Sequence, residues 1–239
     1  MAFGRSPLRL FAKRGHDHRW IQRHVSDKYV QRAAEQQYRS RSAYKLKELD
    51  SRFSFLQKQA VVVDLGCFAG GWSQVALHRT RAGDSRSSGV VVGVDKVVMA
   101  PLEHHRFVQG DIEDDATLRQ VLDVLGERRA HVVLADLAPR MTGVGPDDHM
   151  SSVDLGRAAA RFAEAVLRDG GWFVTKIFDG PYLERHRKEL AARFTRVRCS
   201  KPKASRPESR ETYLICSGFV GVGGTPERGN DAELPSVGA

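Results

Sequence analysis

Cysteine is scarce in this chain and follows no pattern. Cys67, Cys199 and Cys216 are the only three in 239 residues, and no two show CxxC spacing. That excludes a disulfide framework and a cysteine-ligated zinc site, and leaves three small, weakly polar side chains suited to burial. Long apolar runs are also missing. No stretch approaches the ~20 residues that a membrane-spanning helix needs, so a soluble protein is expected. His16, His18, His104 and His105 stand without an HExxH helix or paired cysteines, and no metal is expected. The one glycine-rich turn, Gly66 to Gly71, is not followed by a P-loop lysine and does not read GxGxxG. This argues against an NTPase and against a nicotinamide dinucleotide. Acidic residues are absent from Met1–Arg14, a short arginine-rich segment with Phe3, Leu8, Leu10 and Phe11. That composition suits a mitochondrial presequence and not a secretory signal.

What is present is unevenly placed. Residues 1–58 hold 14 Lys/Arg against 5 Asp/Glu, and the remainder holds 24 of each, so the whole net charge of +9 lies ahead of the first apolar strand. A localised basic segment is the footprint of a polyphosphate partner, and RNA contact is expected over residues 19–58. Arg19-Trp20 and Ser26-Asp27-Lys28-Tyr29-Val30 precede a predicted basic helix, Gln31–Lys47. Aromatic and basic residues together suit backbone clamping and base stacking. Lys201, Lys203, Arg206 and Arg210 form a second basic loop.

Periodicity predicts helices over Ser42–Phe53, Trp72–Arg79, Thr117–Leu125, Ser152–Leu167 and Tyr182–Phe194. Apolar, β-branched runs predict strands over Ala60–Leu65, Gly89–Asp95, Phe107–Gln109, His131–Asp136, Gly171–Phe178, Arg196–Ser200 and Glu211–Gly218. Arg81–Ser88 and Arg140–Asp148 read as loops. Such alternation implies an α/β fold, a doubly wound sheet with helices on both faces. Ligands in such sheets sit outside the carboxyl ends of the strands. Gly66–Gly71, Asp95, Asp111, Asp136 and Lys176 all fall at or just after those ends. Three units are expected: a basic extension or targeting peptide over residues 1–18, an α/β domain over 19–221, and a disordered Gly/Pro/charge-rich tail over 222–239.

Lys45 in Ser-Arg-Ser-Ala-Tyr-Lys-Leu, Asp136 in Leu-Ala-Asp-Leu-Ala-Pro, Lys176 in Val-Thr-Lys-Ile-Phe and Glu211 in Arg-Glu-Thr-Tyr recur in a fixed order around Asp-Leu-Gly-Cys-Phe-Ala-Gly-Gly-Trp. Singly, such a lysine is an ordinary snorkelling side chain and such an aspartate a turn former. As a set, from about Arg19 to Phe219, they resemble the FtsJ/RrmJ/RlmE family of ribose 2′-O-methyltransferases. The resemblance implies a Rossmann-like class I methyltransferase, mostly parallel with an antiparallel last strand. It implies a catalytic tetrad of Lys45, Asp136, Lys176 and Glu211, with Lys45 and Glu211 positioning the target ribose. It also implies an S-adenosylmethionine site lined by Gly66, Gly70, Gly71, Trp72, Asp95, Asp111 and Asp136. Asp95 suits a ribose hydroxyl pair, and Asp111, in Gln-Gly-Asp, suits the adenine side. The family usually has Ala-Pro-Gly-Gly where this chain has Phe68-Ala69-Gly70-Gly71; losing the proline frees one φ angle and is expected to weaken preorganisation.

Methyl transfer from a sulfonium to a hydroxyl needs alignment and removal of one proton. Lysine acts as a base in its neutral form, which a neighbouring cation favours and a neighbouring carboxylate disfavours. Lys176 is the expected base, and Asp136 the group that orients it. The expected substrate is an A-loop uridine of large-subunit rRNA, free or in the pre-ribosomal large subunit, met by a monomer. The expected compartment is the mitochondrion, with the bacterial cytoplasm as the alternative. Two rivals share the motifs: a tRNA anticodon-loop ribose methyltransferase, and an RNA-binding ribosome-assembly factor with dispensable activity.

Overall fold

The valine-rich runs form the centre of a seven-stranded sheet in the computed structural model, which describes residues 27–221. The expected extension over 1–18, Arg19-Trp20 and the tail over 222–239 lie outside the described residues. The strands are β1 (Val61–Leu65), β2 (Val90–Asp95), β3 (His105–Gln109), β4 (Ala130–Ala135), β5 (Leu167–Phe178), β6 (Phe194–Ser200) and β7 (Glu211–Phe219). Their order is β3-β2-β1-β4-β5-β7-β6, and every pairing is parallel except those of β7 with β5 and β6. The described helices are α1 (Lys28–Glu35), α2 (Ala43–Phe53), α3 (Gly71–Thr80), α4 (Asp115–Leu125), α5 (Gly145–Val166) and α6 (Leu183–Ala191).

Central strands covered on both faces are buried at every position, and β1 is apolar at all of them but Asp64. Alternate residues still go to opposite faces. Val63, Val133, Phe173 and Leu214 pack with Val121, Val153, Phe162 and Leu190 beneath α4, α5 and α6. Val62, Val132, Val174 and Ile215 pack with Leu46, Leu49, Trp72 and Val75 beneath α2 and α3. The result is the doubly wound, three-layered α/β architecture that the alternating pattern predicts.

Three expectations are corrected. The basic helix over Gln31–Lys47 is two helices, because the chain turns between α1 and α2, with Gln37 at φ 58°. That turn is pinned to the domain: Arg39 N donates to Gln74 Oε1 at 2.7 Å, and the Arg39 guanidinium donates to Ala100 O at 2.5 Å and Pro101 O at 2.6 Å. The Arg140–Asp148 loop is shorter than expected, since α5 starts at Gly145 with a proline in its first turn. Proline there has no helical N–H to lose, so it starts a helix as readily as it ends one. Finally, β5 begins at Leu167, which pairs with Ala130 before a register shift, and not at Gly171.

Gly66 closes β1 at φ +73°, and a Cβ there would lie 2.4 Å from Leu137 Cδ2. A left-handed backbone costs a non-glycine residue about 1–2 kcal/mol, and overpacking adds to that. Gly66→Ala should therefore lower the free energy of unfolding by about 1–3 kcal/mol in urea titrations. In a double-mutant cycle, Leu137→Ala should recover the steric part and leave the backbone part. Strict additivity of the two would show that the contact is unimportant.

Candidate active site

Strand parity decides which side chains can meet. Asp136 follows β4 in step with Val132 and Leu134, and Lys176 is in step with Trp172 and Val174. Glu211 is in step with Tyr213 and Ile215. All three point to the face that α2 covers, and Lys45 lies in the first turn of α2. Parallel register places Ala135 opposite Thr175, so Asp136 and Lys176 leave neighbouring strands side by side. Antiparallel register places Phe178 opposite Glu211, so the first residue of β7 arrives at the carboxyl ends of its neighbours.

The four residues make an alternating chain of charge. Lys45 Nζ lies 2.6 Å from Glu211 Oε2. Lys176 Nζ lies 3.8 Å from Glu211 Oε1 and 3.2 Å from Asp136 Oδ1, and it donates to Asp136 O at 3.3 Å. Lys45 is 8% and Lys176 7% exposed, which excludes the snorkelling reading for both. Burial alone would push the Glu211 carboxyl up, but the Lys45 and Lys176 ammonium groups hold it below its ordinary value.

Tyr213 was not among the residues expected from sequence. Its hydroxyl donates to Asp136 Oδ1 at 2.8 Å. Burial, then the charges of Asp136 and Glu211, push its pKa well above the ordinary value, so it remains a phenol and a donor. Its signal was available: it stands two residues after Glu211, on the same strand face.

The glycine turn lies at the end of β1. Asp95, ending β2, accepts from Phe68 N at 2.9 Å and Val97 N at 2.8 Å, and so holds the turn in place. The Phe68–Ala69 peptide is cis. Gly70 takes φ +104°, and Gly71 lies where a Cβ would meet Ser40 Oγ at 2.1 Å. Both glycines thus let the Arg39–Ser42 segment close over the start of α3. Trp72 is buried, donates from Nε1 to Ser42 O at 2.9 Å and packs 5.8 Å from the Tyr213 ring. It couples the glycine turn to the helix that carries Lys45. Asp111 is paired with Lys96 at 2.6 Å.

A second missed residue is Asp64, in the middle of β1. Its Oδ2 accepts from Ser73 Oγ at 2.7 Å, while its Oδ1 is buried with no donor. Burial raises its pKa to about 7, against the Ser73 hydrogen bond and with help from the charges of Asp136 and Asp95. The signal was a carboxylate inside Val-Val-Val-Asp-Leu, a placement too costly to be idle. An orphaned carboxylate oxygen beside a glycine turn, with Asp95 and Asp111 on the next two strands, fits a cationic ligand that also carries a nucleoside. These side chains could hold S-adenosylmethionine. No group of His, Cys, Asp and Glu among the described residues is arranged to hold a metal ion.

Two clefts of about 420 Å³ each meet at Glu208, Ser209 and Glu211. One is completed by Arg41, Ser42, Lys45 and Arg206, the other by Ala138, Met141, His149 and Phe178 among others. The two basic segments read from the sequence adjoin here. Asp27 lies 2.6 Å from Arg41 Nη1 and 3.6 Å from Arg206 Nε, and Arg41 Nη2 donates to Ala204 O at 2.5 Å. Cations also lie over the aromatic rings, Lys47 at 5.1 Å from Tyr38 and Arg32 at 5.4 Å from Tyr44.

Comparison with known proteins gives one consistent result. The family model for FtsJ-like methyltransferases matches residues 38–219. The ribosomal RNA large subunit methyltransferase E of Stutzerimonas stutzeri is 39% identical over 203 residues, 85% of this chain and 96% of that protein. The protein of the same name from Roseobacter denitrificans is 44% identical over 204 residues, 84% of this chain and 85% of that one. A crystal structure described as a ribosomal RNA methyltransferase from Plasmodium falciparum superposes with a TM-score of 0.70 at 33% identity, covering 77% of this chain and all of that one.

Asp64 generates a pH prediction. Its folded pKa of about 7 exceeds the ordinary 3.8, so the folded state binds the extra proton between these values. The Asp64 contribution to stability should fall as pH rises from about 4 to about 7, and level off above. Asp64→Asn should flatten that part of the stability–pH profile in thermal melts. An unchanged profile would mean that Asp64 titrates normally.

Proposed function

This chain belongs to the FtsJ-like methyltransferase family, and on that footing we propose that it methylates a ribose 2′-hydroxyl, an A-loop uridine, in large-subunit rRNA. The observation that carries the reading is the Lys45–Glu211–Lys176–Asp136 chain, with both lysines buried, at the carboxyl edge of the sheet beside the glycine turn. The methyl donor is S-adenosylmethionine, which when bound supplies a methyl group already activated on a sulfonium.

The chain's own groups then have separable tasks. Asp64, with its undonated Oδ1, and Asp95, at the end of β2, would hold the polar groups of the donor, and Asp111 would take the adenine side. Glu211, fixed by Lys45, would accept a hydrogen bond from the target ribose and orient it. Lys176 Nζ would take the 2′-hydroxyl proton as a neutral amine, having first released its ammonium proton to solvent, a release that the two flanking carboxylates oppose and a sulfonium held beside it favours. Asp136 holds that amine at 3.2 Å and is itself held by Tyr213, so two contacts fix the direction in which the amine points. Positioning accounts for much of such a rate enhancement, and a general base adds about 10²–10⁴-fold. The cleft bounded by Arg41, Lys45 and Arg206 would take the phosphates flanking the ribose.

The relatives carry names of rRNA enzymes, which favours rRNA over the tRNA alternative. The complete tetrad weighs against the assembly-factor alternative, in which catalysis is dispensable. Of the three relatives, those from Stutzerimonas stutzeri and Roseobacter denitrificans, which share the most identity with this chain, are bacterial, which favours a bacterial cytoplasm over the mitochondrion. Among the described residues no helix is long and apolar enough to cross a membrane.

Lys176→Ala should lower single-turnover methyl transfer by about 10²–10⁴-fold, while S-adenosylmethionine binding by calorimetry stays within about threefold of wild type. Near-normal turnover would remove Lys176 from the chemistry.

A further inference from the structure

The amino ends of the parallel strands, opposite the catalytic edge, carry a second concentration of positive charge. A cleft of about 530 Å³ opens there, lined chiefly by Lys58, Val61, Arg128, Arg129, His131 and Arg168. The four cations are exposed, and no carboxylate lines the cleft. Lys58 precedes β1, Arg128 and Arg129 precede β4, and Arg168 lies at the irregular start of β5. The sheet order β1-β4-β5 therefore brings together cations that are far apart in the chain.

Their partners are informative. Arg128 Nε donates to Leu125 O at 3.3 Å, and Arg129 Nη1 donates to Ala165 O at 2.7 Å. These bonds fix both guanidinium groups without neutralising them. Lys58 and Arg168 make no ion pair or hydrogen bond among the described residues. His131 Nδ1 accepts from Val61 N at 3.1 Å, which leaves the ring proton on Nε2 as a neutral donor. Burial and the nearby Arg168 lower its pKa, so it adds a hydrogen-bond donor and not a fifth charge. Like charges converging on one cleft repel one another, and a bound anion relieves that repulsion.

We propose that this cleft binds the phosphodiester backbone of a second segment of the RNA substrate, away from the segment whose ribose is methylated. β1 spans Val61–Leu65, and at about 3.3 Å per residue the two edges lie roughly 15–20 Å apart. A short hairpin seated on the catalytic edge would not reach the cleft, whereas a folded rRNA presents several backbone segments at such separations. The inference rests on the reading of the protein as an rRNA-modifying enzyme. Failure of wild-type protein to methylate rRNA would break that reading, and the inference itself is tested on binding alone.

The test compares wild type with Lys58→Ala/Arg168→Ala, a pair chosen because neither side chain supports the fold through a polar contact. Each is titrated, at several salt concentrations, with full-length large-subunit rRNA and with a short hairpin carrying the target loop. Melting temperature and S-adenosylmethionine binding serve as folding controls. Each phosphate contact contributes about 0.7–0.9 to the slope of log K against log salt, so losing two should flatten the slope for the long RNA by about 1.4–1.8. The hairpin slope should not change. An unchanged slope for the long RNA overturns the proposal, as does an equal loss for the hairpin. A third arm titrates inorganic pyrophosphate. Pyrophosphate binding that the double variant abolishes, with no change in the rRNA slope, would assign the cleft to a small anion and overturn the RNA reading.

Discussion

Four charges of alternating sign, two on buried lysines and two on half-buried carboxylates, are the constraint on which the rest of this molecule depends. Lys45, Glu211, Lys176 and Asp136 stand in a row with contacts of 2.6, 3.8 and 3.2 Å. Removing one partner from a buried pair costs about 3–5 kcal/mol, because the other charge is left uncompensated. The row therefore survives only if four separate elements deliver their side chains to one place. Tyr213 caps one end through Asp136, and Trp72 supports the other through Ser42 and α2. The site is a fixed frame, which suits a reaction whose donor is already activated and whose barrier is lowered chiefly by alignment.

The reversal of β7 is what makes the frame possible. A strand running parallel to β5 would bring its last residue, not its first, to the carboxyl edge of the sheet. Glu211 is the first residue of β7 and Lys176 lies near the end of β5, so only antiparallel pairing unites them. The 201–210 loop that enters β7 is held against α1 and α2, where Glu48 accepts from Lys203 N at 2.8 Å. The sheet topology, the Lys45–Glu211 contact and the basic surface beside it are thus set by the same stretch of chain.

Much of this was legible in the sequence, and the reasons are local. Continuous Val/Ile/Leu runs marked the central strands, and strand-end charges marked Asp136 and Lys176. Where reading failed, one local signal had two meanings. Pro146 and its flanking glycines read as loop although proline also starts helices, and Gln31–Lys47 read as one helix because its turn is held by Arg39 and Gln74, a contact across the fold. Asp64 passed unremarked inside an apolar run, where its cost should have drawn notice. Of the cleft between Lys58 and Arg168 only Lys58, the last residue of the expected RNA-contacting stretch, was legible. Residues 59–239 are balanced in charge, and only the strand order gathers their cations at one edge.

The central proposal is that this frame transfers a methyl group to a ribose oxygen. The most direct measurement is incubation of unmethylated large-subunit rRNA with the purified protein and isotopically labelled S-adenosylmethionine, followed by mass-spectrometric mapping of the labelled nucleoside. The expected product is a single 2′-O-methylated nucleotide, an A-loop uridine. Label on a nucleobase, or no transfer by folded and cofactor-bound protein to either rRNA or the pre-ribosomal large subunit, would contradict it.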